Sequence, residues 1–266
     1  MKNIAVGTLK GGTGKSTVLF NVAGILAEKH RVLVIDWDPQ CNLSSACGVN
    51  VAKKNRRSSR DIFDAEKDYS PEELVIRSPI KELPNLDLIP SHMLMTAVEF
   101  FMVNRPAREW IFDNYMQAHR EWFEQYDYIL NDTNPSVGLV NQNAFTAADS
   151  IVLVTDVSED GIMGVELFTY LWGNVRKALR KPDNVKALVI NLADRRISLT
   201  KELKEYCEDN EDLLPLLLDE MIYSKVVYKD ARISHKPVNI MATKTAKEAT
   251  DDVRAVVEAL KAKEVF

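Results

Sequence analysis

Cysteine is scarce: Cys41, Cys47 and Cys207 are the three among 266 residues. An odd number at these separations fits no zinc-ligand spacing and no disulfide framework, so a reducing compartment is the expected setting. Long apolar runs are missing too. Nothing approaches the length of a membrane span, and the opening MKNIAVGTL has too short an apolar stretch for a secretory leader. Positive charge is not in surplus, since 34 Lys and Arg face 39 Asp and Glu for a net charge of −5. Nucleic-acid binding would then have to come from one basic face, not from the average surface. Internal repeats and low-complexity linkers are absent as well. These absences point to a cytoplasmic protein.

What is present suits a packed α/β protein. Hydrophobic residues make up 46% and charged residues 27%, enough for a substantial core. Short apolar runs, NIAVGT, RVLVID, LDLIP, YDYILND, SIVLVTD and VKALVIN, alternate with helical patterns near 15–29, 93–120, 139–148, 161–180 and 198–208. Continuous β-branched strands separated by helices predict a mostly parallel, twisted sheet covered on both faces. The tail TKTAKEATDDVRAVVEALKAK has Ala, Val and Leu at helical spacing and should pack one face on the domain. Residues 43–85 show no clear strand and are expected to form a loop or helical insertion in one domain spanning 1–266. This insertion contains KKNRRSSR, five basic residues in eight positions.

The stretch TLKGGTGKST, Thr8 to Thr17, departs from the usual G-x-x-x-x-G-K-[ST] phosphate loop, having Leu9 where the first glycine belongs and a second lysine, Lys10. Its context still fits a P-loop NTPase: an apolar strand, then glycines, then Gly14-Lys15-Ser16-Thr17 opening a helix. Gly11, Gly12, Thr13 and Gly14 would frame an anion nest at the positive end of that helix. Lys15 would reach the β- and γ-phosphates, Ser16 the Mg²⁺ and Thr17 the α-phosphate. Carboxylates are then needed at the ends of neighbouring strands. Asp36 and Asp38 follow RVLVI, and Asp132 closes YDYILND. A single aspartate there is most often a turn or helix cap. Three of them beside a phosphate loop favour a metal site, in which Asp132 holds a metal-bound water and Asp36 or Asp38 orients the attacking water.

Together KGGTGKST, VIDWDPQ and ILNDTNPS resemble the deviant Walker A, Walker A′ and Walker B motifs of the ParA/MinD ATPases, most closely the small ParA (Soj-like) partitioning proteins. LDLIPS, NLADRRISLTKEL and MIYSKVVYKDARISHKPV fit the same pattern, so the resemblance covers nearly the whole chain. It implies an ATP-sandwich homodimer in which Lys10 reaches the partner's phosphates. It assigns Lys15 to phosphate, Ser16 to Mg²⁺ and Asp38 to the hydrolytic water, with Asp36 and Asp132 supporting the metal through its water shell and Asn191 touching adenine. Three departures stand out. Cys41-Asn42 replaces Gly-Asn after DPQ, which predicts a different loop shape; Trp37 replaces a smaller residue; Asn134 stands where proline is common.

The resemblance further implies a weak ATP hydrolase, stimulated by a ParB-like adaptor, that binds DNA without sequence preference and associates with the nucleoid in its ATP state. Arg195, Arg196, Lys225, Lys229, Arg232 and Lys236 are the candidate DNA contacts, with KKNRRSSR as a second option. A MinD-like, membrane- or protein-cued positioning ATPase is the alternative, but acidic Asp251, Asp252 and Glu258 dilute the charge a membrane-binding tail helix would need. An iron–sulfur relative would require cluster cysteines after Asp132, where only Cys207 lies. A small-molecule synthetase on the same fold would be recognised by its product, and a tyrosine-kinase relative by a terminal tyrosine cluster that this chain lacks.

Overall fold

The computed structural model describes residues 1–50, 56–194, 196 and 198–266. Its strands are β1 (Lys2–Gly7), β2 (Val32–Asp36), β3 (Leu86–Ile89), β4 (Tyr128–Asp132), β5 (Ser150–Thr155), β6 (Val185–Ala193) and β7 (Leu217–Tyr223). They form one sheet in the order β3-β2-β4-β1-β5-β6-β7, with every neighbouring pair parallel. Parallel strands need crossovers, and the intervening helices supply them. The helices are α1 (Lys15–Leu26), α2 (Asn42–Ala46), α3 (Pro71–Leu74), α4 (Met95–Met102), α5 (Ile111–Ala118), α6 (Arg120–Phe123), α7 (Leu139–Ala147), α8 (Glu159–Ala178), α9 (Ser198–Asp209), α10 (Val227–Ser234) and α11 (Lys244–Ala262).

Side chains alternate across each strand, and this alternation places the site. On one face Ile4, Val6, Val32, Val34, Leu130, Ala187 and Val189 pack with α1 and α11 in a single apolar cluster. On the other, Leu33, Ile35, Trp37 and Ile129 meet α4, α5 and the turn at Ser59–Phe63, while Leu153, Leu188 and Ile190 meet α8 and α9. Extending the first face to the carboxyl ends of β2, β4 and β6 gives Asp36, Asp132 and Asn191. Ligands of open parallel sheets bind at that end.

Two features differ from the sequence-based expectation. The predicted helix at 93–120 is broken into α4, α5 and α6. Pro106 cannot extend a helix, and Ala107 follows with φ 50°. β7 was not anticipated, because LLDEMIY forms the sheet edge and only Leu218 and Ile222 are fully buried there, so its pattern never becomes a continuous apolar run. The tail helix, α11, does pack as predicted: Ala246, Ala249, Val253, Val256, Val257 and Leu260 are all buried in the core.

Candidate nucleotide site

The loop between β1 and α1 needs glycine at particular places. Gly12 and Gly14 have φ of 86° and 84°, in the left-handed region. A Cβ on Gly14 would also stand 2.3 Å from the Asn191 side-chain nitrogen. That nitrogen donates to the Thr13 carbonyl at 2.7 Å, so β6 clamps the loop from the side. Asn191 also lines the cleft, so the loop clamp and an adenine contact would draw on the same residue. The cleft, about 810 Å³, is walled by Gly11, Gly12, Gly14, Lys15, Ser16 and Thr17, with Asp38 opposite. Thr13 is buried, and its hydroxyl has no hydrogen-bond partner.

Lys15 is buried, which lowers its ammonium below the ordinary range against the pull of Asp132 and Asp38. Asp36 and Asp132 occupy paired positions on adjacent strands. Both carboxyls are pushed well above the ordinary range, first by complete burial. Asp132 raises Asp36 further; the Ser16 hydroxyl and Lys15 pull Asp132 back down. The two residues are used differently. Asp36 accepts from the Asp38 amide at 3.0 Å, the Ser44 amide at 2.9 Å and the Ser44 hydroxyl at 2.6 Å, tying the strand end to α2. Both oxygens of Asp132 are buried without a partner; the nearby Ser16 hydroxyl acts on it electrostatically, outside hydrogen-bond geometry.

A buried carboxylate with unfilled lone pairs beside a lysine and a serine suits a hydrated divalent cation. Among the described residues no group of three His, Cys, Asp or Glu forms a metal cage. That also suits Mg²⁺, which keeps waters and takes phosphate oxygens as ligands. Ser16 and Asp132 are thus the residues with capacity to serve the metal, while Asp36 already has three donors.

Asp38 accepts from the Gln40 amide at 2.8 Å and faces the cleft. After it, Cys41 takes φ 53° and ψ 35°, the left-handed shape a glycine would adopt, at the start of α2. That left-handed shape is one glycine adopts without cost, and here cysteine carries its strain. Burial and Asp36 push the Cys41 thiol up to about 12, which favours its protonated form at neutral pH. Trp37 points to the opposite face, where its indole N–H donates to Asn131 at 2.9 Å and its ring meets Phe63 and Phe112. Asn134 accepts from Ser136 at 2.5 Å and from Asn141 at 2.7 Å, fastening the loop by hydrogen bonds where proline would stiffen it.

Lys10 is not part of the cleft wall. Its ammonium donates to Asp156 at 2.8 and 3.1 Å and to the Ser158 hydroxyl at 2.7 Å, beside the start of α8. Asp156, Ser158 and Ser44 were not anticipated as site residues. Asp156 carried a readable signal, since it follows β5 as Asp132 closes β4. Ser44 carried none, because its partner is reached only through the fold.

The basic candidates separate. Arg195 lies outside the described residues, as do residues 53–55 of the KKNRRSSR stretch. Arg196 is exposed and paired to Asp194 at 2.7 Å, Lys236 to Glu82 at 2.6 Å, and Lys225 to Asp252. Lys225, Lys229 and Arg232 line the nucleotide cleft.

A family model described as an AAA domain matches residues 1–185. The chain is 29% identical over 241 residues to the sporulation initiation inhibitor protein Soj of Bacillus subtilis, covering 89% of this chain and 87% of Soj. The chain belongs to the ParA-like ATPase family. A putative plasmid partition protein from Borrelia burgdorferi, solved bound to AMPPNP, shares its fold with a TM-score of 0.76 at 21% identity, covering 98% of each chain. A cobyrinic acid a,c-diamide synthase from Mycobacterium smegmatis, with bound ATP analogue and magnesium, has a TM-score of 0.78 at 21% identity, covering 98% of this chain and 94% of that one. One fold thus hosts both a partition protein and a synthetase, and the ParA-like assignment rests on sequence and site. In this ParA-like chain the phosphate loop and the strand-end carboxylates come together at the carboxyl end of the sheet.

Proposed function

We propose that this ParA-like chain is a DNA-partitioning ATPase, using ATP with Mg²⁺ as a timer for dimerisation and DNA binding. The observation that carries the reading is the division of labour between two lysines. Lys15 is sunk in the chain's own phosphate loop, whereas Lys10 sits outside the cleft on Asp156 and Ser158. In the ATP-sandwich homodimer Lys10 exchanges Asp156 and Ser158 for the partner's phosphates. When bound, Mg²⁺ would supply neutralisation of charge on the phosphates. Ser16 and Asp132 would hold it, and Asp38 would position the hydrolytic water. The hydrolysis is weak until a ParB-like adaptor stimulates it, and DNA is released afterwards.

DNA is gripped without sequence preference, through phosphates. Arg196 and Lys236 are suited to this, because exposed ion pairs are weak and exchange a carboxylate for a phosphate easily. The MinD-like alternative requires an apolar helix face for lipid. α11 has spent its apolar face on the core, and no helix among the described residues is long and apolar enough to cross a membrane.

The test is binding to random-sequence duplex DNA with ATP, with ADP and without nucleotide, over a salt series. Binding with ATP alone, falling steeply as salt rises, is the expected result. ATP binding without DNA binding would replace this function with protein-cued positioning.

A further inference from the structure

Arg232 belongs by sequence with the basic residues around 225–236, yet its surroundings separate it from them. Among the described residues Lys225, Lys236 and Arg196 each have a carboxylate partner and Lys229 is exposed, whereas Arg232 is half-buried without a carboxylate partner. One guanidinium N–H donates to the Asn42 side chain at 3.0 Å. Asn42 opens α2, four residues after Asp38, so the arginine is fixed against the loop that carries the candidate water-positioning carboxylate. On α10 the flanking Ile233 is 68% exposed, while Arg232 is half-buried and lines the cleft together with Lys15 and Asp38. Its charge is felt as far as Asp132.

A guanidinium has five N–H donors in a rigid fork. With one engaged by Asn42, the others remain for an anion, and a half-buried cation without a carboxylate partner on a phosphate-binding cleft is suited to receive one. We propose that Arg232 is a nucleotide-binding residue, supplied in cis by α10 and fixed by Asn42, that contacts the phosphate groups of the nucleoside triphosphate in the cleft. This rests on the ATP-binding reading given above. It also gives α10 and the Asp38 loop a shared ligand, so that occupancy of the cleft sets the position of both.

Calorimetric titration of ATP, ADP and adenosine, each with Mg²⁺, into wild type, Arg232→Gln, Arg232→Lys and Asn42→Ala tests this, with melting curves for each protein. Arg232→Gln is expected to weaken ATP and ADP about tenfold or more, as for loss of a charge-assisted hydrogen bond, and to leave adenosine unchanged. Arg232→Lys should recover part of the loss, and Asn42→Ala should cost only a few-fold. Equal ATP affinity in wild type and Arg232→Gln overturns the inference and leaves the ATPase reading intact. So does an equal loss for adenosine, or loss of DNA binding with ATP affinity preserved. An Asn42→Ala loss as large as that of Arg232→Gln, with no recovery in Arg232→Lys, reduces the arginine to a structural tie. If Arg232→Gln does not fold, Arg232→Met takes its place, and wild-type ATP affinity in that variant overturns the inference. Failure of wild type itself to bind ATP removes the ATPase reading first, and this inference with it.

Discussion

Asp132 shows what one side chain surrenders to make a site. It is fully buried, its oxygens lack partners, and it shares a register position with Asp36. Two carboxylates in that arrangement repel each other and resist ionisation. A carboxyl whose folded pKa lies above its unfolded value binds its proton more readily in the folded state. Its contribution is therefore complete at low pH and is lost as pH rises from the ordinary 3.8 through the raised folded range. Asp132→Asn should melt above wild type without ligand at pH 8, by roughly 2–4 °C for each kcal/mol relieved. The gap should narrow as pH falls toward about 5. The same variant should weaken Mg²⁺-dependent ATP binding by roughly 10–100-fold, the usual cost of removing an outer-shell metal partner. A lower melting temperature than wild type at pH 8 would show that the carboxylate is not strained.

At the scale of elements, β2 couples the site to the cover on the opposite face. Asp38 lines the cleft with the buried Asp36 on the same side of the strand, and Trp37 between them turns to Phe63 and Phe112. Its indole satisfies Asn131, which in turn donates to Asn3 at 2.6 Å, a polar chain running under three strands. Trp37→Phe would leave a buried carbonyl oxygen unpaired and shrink the ring, destabilising by about 2–3 kcal/mol. The urea midpoint should fall with the slope unchanged, and ATP affinity should stay within about twofold, because the altered side chain lies across the sheet from the cleft. A large loss of ATP affinity at intact stability would mean that the two faces are coupled through the loop itself.

For the whole molecule, metal and nucleotide are expected to bind together, because Ser16 and Asp132 beside the phosphate loop leave the other Mg²⁺ ligands to water and phosphate oxygens. In thermal melts Mg²⁺ alone should shift the transition negligibly, ATP with EDTA modestly, and ATP with Mg²⁺ by several degrees, following the linkage of ligand affinity to stability. A large shift from Mg²⁺ alone would reveal a metal site of a different kind.

The sequence by itself determined the parallel sheet, the phosphate loop and the strand-end aspartates, because these depend on local pattern: apolar runs, glycines before a helix, and carboxylates closing strands. It also carried the packed tail helix, since the spacing from Ala246 to Leu260 is a property of one helix. The edge strand β7 was hidden because an edge buries only alternate residues, and the break after Met102 because apolar periodicity continues past Pro106. Only the tertiary structure decided which aspartate is occupied and which is free, for Ser44 reaches Asp36 through folding of α2 against β2. It alone showed that Cys41 keeps a glycine-like backbone, that Lys10 rests on Asp156, and that Arg232 faces the cleft. Composition records that a charge exists; the chain's path through space decides what that charge meets.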